Sequence, residues 1–248
     1  MLKKLFGATK GAAAGSAAPE GVRLYAVGDI HGCAGQLDAL LAQIEAEPAE
    51  TLEKRIVFLG DYVDRGPDSR AVVERLVALQ KSEPQTVFLK GNHEAAMRDF
   101  LHTPDAEASW LNWGGAETLQ SYGIAQIFNR EPHLVAAEFA DRLPAAHRAF
   151  FDGLELYSVA ADYLFVHAGV RPGVPLEAQE ERDLLWIRGE FHNALPERRP
   201  DKIVVHGHHP VKKPLDVGWR IDVDTGACYG GKLTAAVLEG TARRFISA

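Results

Sequence analysis

Five short polar motifs in the sequence combine aspartate, asparagine and histidine with flanking glycines. They are GDIHG at 28–32, GDYVDRG at 60–66, GNHE at 91–94, HAG at 167–169 and GHHP at 207–210. Carboxylate, amide and imidazole groups suit manganese, iron or zinc, and no cysteine belongs to the set. The motifs therefore predict a metal centre of oxygen and nitrogen donors, in contrast to a cysteine-rich structural zinc site.

The spacing of the motifs divides the donors between two ions. Asp29 and His31 are two residues apart at a predicted strand end, so they point to the same side and can bind one ion. Asp61 has two carboxylate oxygens and can bridge that ion to a second one. Two such ions, about 3.5–4 Å apart, activate water and hold both sides of an in-line displacement. The remaining predicted donors are Asn92, His167 and His208.

The charge of this centre favours a phosphate substrate. Two divalent ions, two aspartates and a bridging hydroxide leave a net charge of about +1. Arg65 and Arg188 add planar guanidinium groups that match phosphate oxygens. His93 follows the donor Asn92, and neighbours in an extended loop point in opposite directions, so His93 is free to act as a general acid. Asp64 is the predicted partner that orients it.

The order of predicted elements indicates the fold that positions these motifs. The first hundred residues alternate strand and helix, which is typical of parallel βαβ units. Residues 95–154 are helical and are interpreted as an insertion over one side of the sheet, with Trp110 and Trp113 as packing residues. Two sheets face to face, with helices outside, would bury both halves of the chain. Predicted strands cover 22–27, 55–59, 85–89, 155–159, 163–166, 202–205, 219–223, 233–238 and 243–246, and predicted helices cover 36–47, 68–81, 133–143, 145–154 and 176–185.

Composition limits the class of protein. The chain has 248 residues, 46% of them hydrophobic, and a formal net charge of -7. This charge argues against a broad nucleic-acid footprint, which needs a basic face. The two cysteines, Cys33 and Cys228, give no disulfide framework and indicate a reducing compartment. No apolar run approaches the roughly 20 residues of a membrane span. We therefore expect a cytoplasmic protein with neither nucleic-acid nor membrane partners.

The N-terminal residues are predicted to form a flexible tail, at 1–20, ahead of a single domain at 21–248. Residues 1–10 are basic and residues 11–18 are small. A secretory signal would need a longer apolar run between these parts than Leu5 and Phe6 supply.

The five motifs, in this order from about Arg23 to Leu238, resemble the signature blocks of the PPP-type, calcineurin-like metallophosphoesterases. The resemblance is greatest to the bacterial and phage branch of serine/threonine protein phosphatases. It implies a mixed α/β fold, a four-layer α/β/β/α sandwich with two mixed sheets flanked by helices. It also implies two divalent metal ions, manganese in the first place and iron or zinc as alternatives.

The resemblance also implies a role for each motif residue. His93 becomes the general acid and Asp64 its partner. The G-H-x-P pattern selects His208 as a metal ligand, and His206 is expected to lie behind the ligands. The resemblance assigns Asp29, His31 and Asp61 to one metal. It assigns Asp61, Asn92, His167 and His208 to the other metal. Arg65 and Arg188 would bind the phosphate.

Three functions fit these residues. The first expectation is a serine/threonine protein phosphatase, in which a hydroxide bound by both metals attacks phosphorus directly and His93 protonates the leaving oxygen of a phosphoprotein. The alternative is a dinucleoside tetraphosphate hydrolase with the same ligands, distinguished by how residues 95–154 shape the pocket. A catalytically silent scaffold would have lost a ligand or His93, and the sequence retains all of them.

Overall fold

Two five-stranded β-sheets form the centre of the computed structural model, which describes residues 17–48 and 52–248. Strands are β1 Val22–Val27, β2 Glu53–Phe58, β3 Val87–Phe88, β4 Tyr157–Ala160, β5 Tyr163–Val166, β6 Ile203–His206, β7 Leu215–Asp216, β8 Arg220–Asp222, β9 Thr234–Glu239 and β10 Ala242–Ser247. α-Helices are α1 Ala34–Ala46, α2 Ser69–Ser82, α3 Asn92–His102, α4 Gly115–Ser121, α5 Pro132–Arg142, α6 Ala145–Asp152, α7 Glu181–Trp186 and α8 Gly189–His192. Short 3₁₀ helices lie at Ala108–Trp113, Ile127–Asn129, Leu176–Ala178, Pro196–Arg198 and Ala227–Tyr229.

Both sheets mix parallel and antiparallel pairs. The first has the strand order β10-β9-β1-β2-β3, with β1, β2 and β3 parallel. The second has the order β4-β5-β6-β8-β7, with β5, β6 and β8 parallel and antiparallel strands at its edges. The predicted runs at 233–238 and 243–246 therefore join the first sheet, where β9 pairs with β1 and β10 pairs with β9, although they come last in the chain.

The alternation of side chains along β1 shows why four layers form. Tyr25 and Val27 belong to the core shared with the helices, whereas Leu24 and Ala26 belong to the core between the two sheets. Because successive residues of a strand face opposite sides, one strand serves two cores. A third core, which includes Phe191, joins the second sheet to α7 and α8. The predicted α/β/β/α sandwich is confirmed.

The helical segment at 95–154 completes the outer layer over the first sheet. Phe139 of α5 and Phe150 of α6 share one core with Phe58 and Phe88 of the sheet. The rings of Phe88 and Phe150 meet edge to face at 5.2 Å. The predicted helix at 176–185 differs from the structure, which has a 3₁₀ turn and then α7.

The predicted tail at 1–20 lies largely outside the described residues. Its last part is attached to the fold: the Ala17 N–H donates to the Asp162 carboxylate at 2.8 Å, and the Ala18 N–H donates to the Gly240 carbonyl at 2.8 Å. Among the helices of the described residues, none is both long and apolar enough to cross a membrane.

Candidate active site

The five motifs meet at the carboxyl ends of parallel strands from both sheets. Three follow β1, β2 and β3, and two follow β5 and β6. Of the seven non-glycine residues with positive φ in the described part, five belong to these motifs. Non-glycine residues in this conformation carry backbone strain, which clusters at functional sites. These five are His31, Asp61, Asp64, Arg65 and His208.

Asp61 lies between two groups of side chains that could bind metal ions. Its Oδ2 is 3.4 Å from His31 Nε2, and its Oδ1 is 3.5 Å from His167 Nε2. The donor atoms of each group lie within 4.8 Å of one another, the first with His31 and His93 and the second with His167 and His208. Asn92 completes the second group, because its Oδ1 lies 2.9 Å from His167 Nε2 and 2.8 Å from His208 Nδ1. One carboxylate thus faces two candidate metal positions.

The hydrogen bonds of two histidines fit metal binding. The Nδ1 of His31 lies 2.7 Å from the Val63 carbonyl, and the Nδ1 of His167 lies 2.9 Å from the Leu59 carbonyl. A carbonyl only accepts, so each Nδ1 carries the proton and donates it. The Nε2 of each ring then carries the lone pair and lies beside Asp61, as in metal-bound histidines held by a backbone carbonyl.

The electrostatics of the centre also fit two cations. Burial alone would raise the pKa of Asp61, but His167 and His93 outweigh it and hold that pKa well below its ordinary value. Burial raises the pKa of Asp29, and the carboxylates of Asp224 and Asp61 raise it further. Burial lowers the pKa of His208 to about 2, which keeps its imidazole neutral. Buried carboxylates beside neutral imidazoles need a cation to balance them.

Asp29 lies against the backbone of Gly207 and His208. Both of its carboxylate oxygens accept from the His208 backbone N–H, at 3.2 Å each. A Cβ on Gly207 would lie 2.1 Å from Asp29 Oδ1, so only glycine fits there. Asp29 follows β1 in a loop, and the period of a strand no longer sets its direction. Its place on the same ion as His31 stays a prediction.

His93 and Asp64 form a buried pair. His93 Nδ1 lies 2.6 Å from Asp64 Oδ2. Asp64 also accepts from Trp110 Nε1 at 2.8 Å and from Thr118 Oγ1 at 2.6 Å. Trp110 and Thr118 come from the segment at 95–154, which therefore contributes directly to the site.

The expectation of an extended loop at GNHE is wrong. Asn92 and His93 are the first two residues of α3, which Gly91 precedes in an extended conformation. Helical residues differ in direction by about 100° for each position, and this rotation separates the two side chains. His93 Nε2 lies 4.0 Å from Asp61 Oδ2, within the first group of donors.

Glu94 organises the loops around the centre, a role that the sequence motifs did not reveal. Its carboxylate accepts four backbone N–H groups, from Asp61 at 2.9 Å, Tyr62 at 2.7 Å, Val63 at 3.2 Å and Gly91 at 2.9 Å. Burial and the nearby Asp61 raise the pKa of Glu94 to about 8. The local signal for this role is its place three residues after the N-cap, where a glutamate reaches back to the backbone.

Two guanidinium groups reach the centre from different elements. Arg65 Nη1 donates to His31 Nε2 at 2.6 Å, and Arg188 Nε donates to His208 Nε2 at 3.1 Å. Both arginines line the open cleft above the centre together with Asn92 and His93. An anion in that cleft would meet both of them.

His206 lies apart from the Asp61 groups. It belongs to a third group with His192 and Asp222, whose donor atoms lie within 4.8 Å of one another. Arg220 Nη1 lies 3.4 Å from His206 Nε2. Burial lowers the pKa of His206 to about 3. The structure therefore directs His206 away from the centre that contains His208.

A four-layer fold with a histidine and aspartate centre at its strand ends defines a metal-dependent phosphoesterase. Residues 22–237 match the family of calcineurin-like phosphoesterases, and the chain belongs to this family. This family uses a dinuclear metal centre, and the two donor groups around Asp61 correspond to such a centre.

Similar proteins are found among curated sequences and solved structures. The chain is 27% identical over 234 residues to the asymmetrical bis(5'-nucleosyl)-tetraphosphatase PrpE of Anoxybacillus flavithermus, covering 84% of this chain and 87% of that protein. A solved structure of a candidate diadenosine tetraphosphatase superposes with a TM-score of 0.66 at 24% identity, covering 93% of this chain and 96% of the other. A protein serine/threonine phosphatase from Saccharomyces cerevisiae superposes with a TM-score of 0.57 at 18% identity, covering 90% and 76%. These two structural likenesses support the fold.

Proposed function

We propose that this protein hydrolyses dinucleoside tetraphosphates, the function that was the alternative in the sequence analysis. The observation that carries the proposal is the similarity to bis(5'-nucleosyl)-tetraphosphatases over most of both chains. The cleft supports it, since arginines and exposed aromatic side chains border the same opening. Polyphosphate and nucleoside are the two parts of the substrate that such a lining would meet.

In the proposed reaction, water adds to one phosphorus and the phosphoanhydride bond on its far side breaks. Two divalent ions, when bound, supply the activated water and neutralise phosphate charge. Asp61 lies between the two donor groups that would hold them. Arg65 and Arg188 bind phosphate oxygens, and the His93 imidazolium, held by Asp64, gives its proton to the leaving phosphate oxygen.

A second candidate is hydrolysis of phosphoserine and phosphothreonine in proteins. The buried pair of His93 and Asp64, at 2.6 Å, favours it. A serine or threonine alkoxide is a strong base and needs a proton to leave, whereas a leaving phosphate is a much weaker base. A well-positioned general acid is therefore of most use for phosphomonoesters.

A side-by-side turnover assay with manganese tests the two candidates. One arm uses diadenosine tetraphosphate, the other a phosphothreonine peptide, and each has a chelator control. We expect a higher kcat/KM for the nucleotide and no turnover with chelator. A higher kcat/KM for the peptide would overturn the proposal and assign a protein phosphatase.

A further inference from the structure

Two exposed tryptophans line the cleft beside the candidate metal centre. Trp113 is 43% exposed and Trp186 is 38% exposed, although tryptophan side chains are usually well buried. Their rings meet edge to face with centroids 5.9 Å apart. The interpretation of Trp110 as a packing residue is confirmed, since it is 1% exposed, whereas Trp113 packs on Trp186 and stays partly exposed.

The tryptophan pair stands close to the reacting centre. The Trp186 ring lies 6.3 Å from the His208 ring, almost perpendicular to it. His208 is one of the predicted metal ligands. A base joined to a phosphate at the centre through a single sugar would therefore be able to reach the tryptophan pair.

Each tryptophan is also tied to one of the two arginines. Gly114 follows Trp113, and its carbonyl accepts the Arg65 backbone N–H at 3.2 Å. Gly114 has φ 111°, and a Cβ there would lie 2.4 Å from Arg65 N, so the backbone at Gly114 directly contacts the backbone at Arg65. On the other side, Trp186 ends α7 two residues before Arg188. A phosphate held by both arginines thus has the two indole rings beside it.

We propose that Trp113 and Trp186 form a binding site for a nucleobase of the substrate. The inference rests on the proposed function, since it identifies what holds the nucleoside of a dinucleoside tetraphosphate. A base is flat, aromatic and partly polar. Any base can stack on an indole ring, whatever its pattern of hydrogen-bond donors and acceptors. Aromatic faces beside a positively charged phosphate site are the combination that such a ligand requires.

Tyr229, the third exposed aromatic residue of the cleft, has a different role. Its ring faces the Arg65 guanidinium, with the Arg65 Cζ 5.5 Å from the ring centroid. One face of the ring is therefore already engaged by a cation, an arrangement that fixes the arginine. The tryptophan pair contacts no cation in this way among the described residues, and both rings are partly exposed in the cleft.

The test compares two substrates in wild type and variants. The substrates are diadenosine tetraphosphate and P1,P4-diribosyl tetraphosphate, which has the same sugars and phosphates and no bases. The variants are Trp113→Leu, Trp186→Leu and the double substitution, with Trp113→Phe to retain an aromatic face. Phe128→Leu is the matched control, because Phe128 is 64% exposed and does not line this cleft. Metal content is measured in each protein.

We expect each leucine variant to lose about tenfold in kcat/KM for diadenosine tetraphosphate, mostly through KM, because stacking of one base contributes on that scale. Turnover of the diribosyl compound should stay within about twofold of wild type, and Trp113→Phe should recover most of the loss. Equal losses on both substrates, or none, at unchanged metal content would overturn the inference.

The wild-type arm separates failure of the inference from failure of the proposed function. If wild type hydrolyses neither compound, the proposed function is wrong. The base site is then tested by AMP binding instead of turnover. AMP should quench the tryptophan fluorescence of wild type at lower concentration than it quenches the double leucine variant, and ribose 5-phosphate should quench neither. Identical AMP titrations of wild type and the double variant would overturn the base site by itself.

Discussion

The Trp110 indole N–H donates to Asp64 Oδ2, the same carboxylate oxygen that lies 2.6 Å from His93 Nδ1. Trp110 is 46 residues from Asp64 along the chain and is buried in the helical layer. The orientation of the candidate general acid therefore depends on a segment that contains none of the five motifs.

The substitution Trp110→Phe tests this dependence. Phenylalanine keeps an aromatic ring in the core but cannot donate to Asp64. Hydrogen bonds to charged groups contribute about 1.5–3 kcal/mol, so we expect kcat to fall about tenfold or more. The control is Trp219→Phe, which changes a buried tryptophan of the second sheet's outer core. An unchanged kcat in Trp110→Phe would contradict the dependence.

His93→Asn should lower turnover without loss of metal. A general acid contributes roughly 10²–10⁴-fold, and it contributes most where the leaving group is a strong base. We therefore expect a larger loss on a phosphothreonine peptide than on diadenosine tetraphosphate. Both rates are measured with metal content by mass spectrometry. Equal rates for variant and wild type on the peptide would show that His93 is not the acid.

Asp61→Asn should reduce metal binding. The carboxylate faces both groups of donors, and its replacement removes one negative charge shared between them. Wild type should bind about two divalent ions per chain, and we expect the variant to bind fewer and to lose turnover accordingly. Asp105→Asn, an exposed aspartate, is the control for the chemical change itself. Full occupancy in Asp61→Asn would refute the bridging role.

His147 should make folding stability depend on pH. It is buried beside Tyr122, whose hydroxyl lies 2.8 Å from its Nδ1, and burial lowers the pKa of His147. The unfolded chain then binds this proton more readily than the folded one. The stabilisation is complete above the unfolded pKa, about 6.5, and is lost as pH falls towards the lowered value.

Melting temperatures of wild type and His147→Gln from pH 8 to pH 5 measure this effect. We expect the variant to lose less stability on acidification than wild type, with a constant offset between them above pH 7. Parallel curves over the whole range would mean that His147 does not titrate with unfolding.

The hydrophobic pattern predicted the positions of the elements along the chain better than it predicted which strands pair in a sheet. β1 and β5 have the predicted bounds, because glycine or polar residues border their mainly apolar runs on both sides. β3 has only two residues where five were predicted, and the two-residue strand β7 was not predicted. The pairing of β9 with β1 carries no local signal, since it joins distant parts of the chain.

At the site, too, the sequence predicted features that depend on neighbouring residues but missed contacts between residues far apart in the chain. The motifs identified the side chains that gather around Asp61 because residue type and glycine spacing are local properties. The strand rule applied to Asp29 and His31 does not describe a loop in which His31 has φ 45°. Thr118 and Trp110, the partners of Asp64, were missed because a buried carboxylate can recruit donors from anywhere in the chain.

The position of β9 in the first sheet bears on how the protein is made. Ala26 at the middle of β1 pairs with Ala236, so one side of β1 has no strand partner until the ribosome has produced almost the whole chain. Unpaired strand edges of nascent chains invite wrong association. The loop after β1 holds Asp29 and His31, two of the predicted metal ligands, so we expect a nascent chain to bind metal only after synthesis is nearly complete.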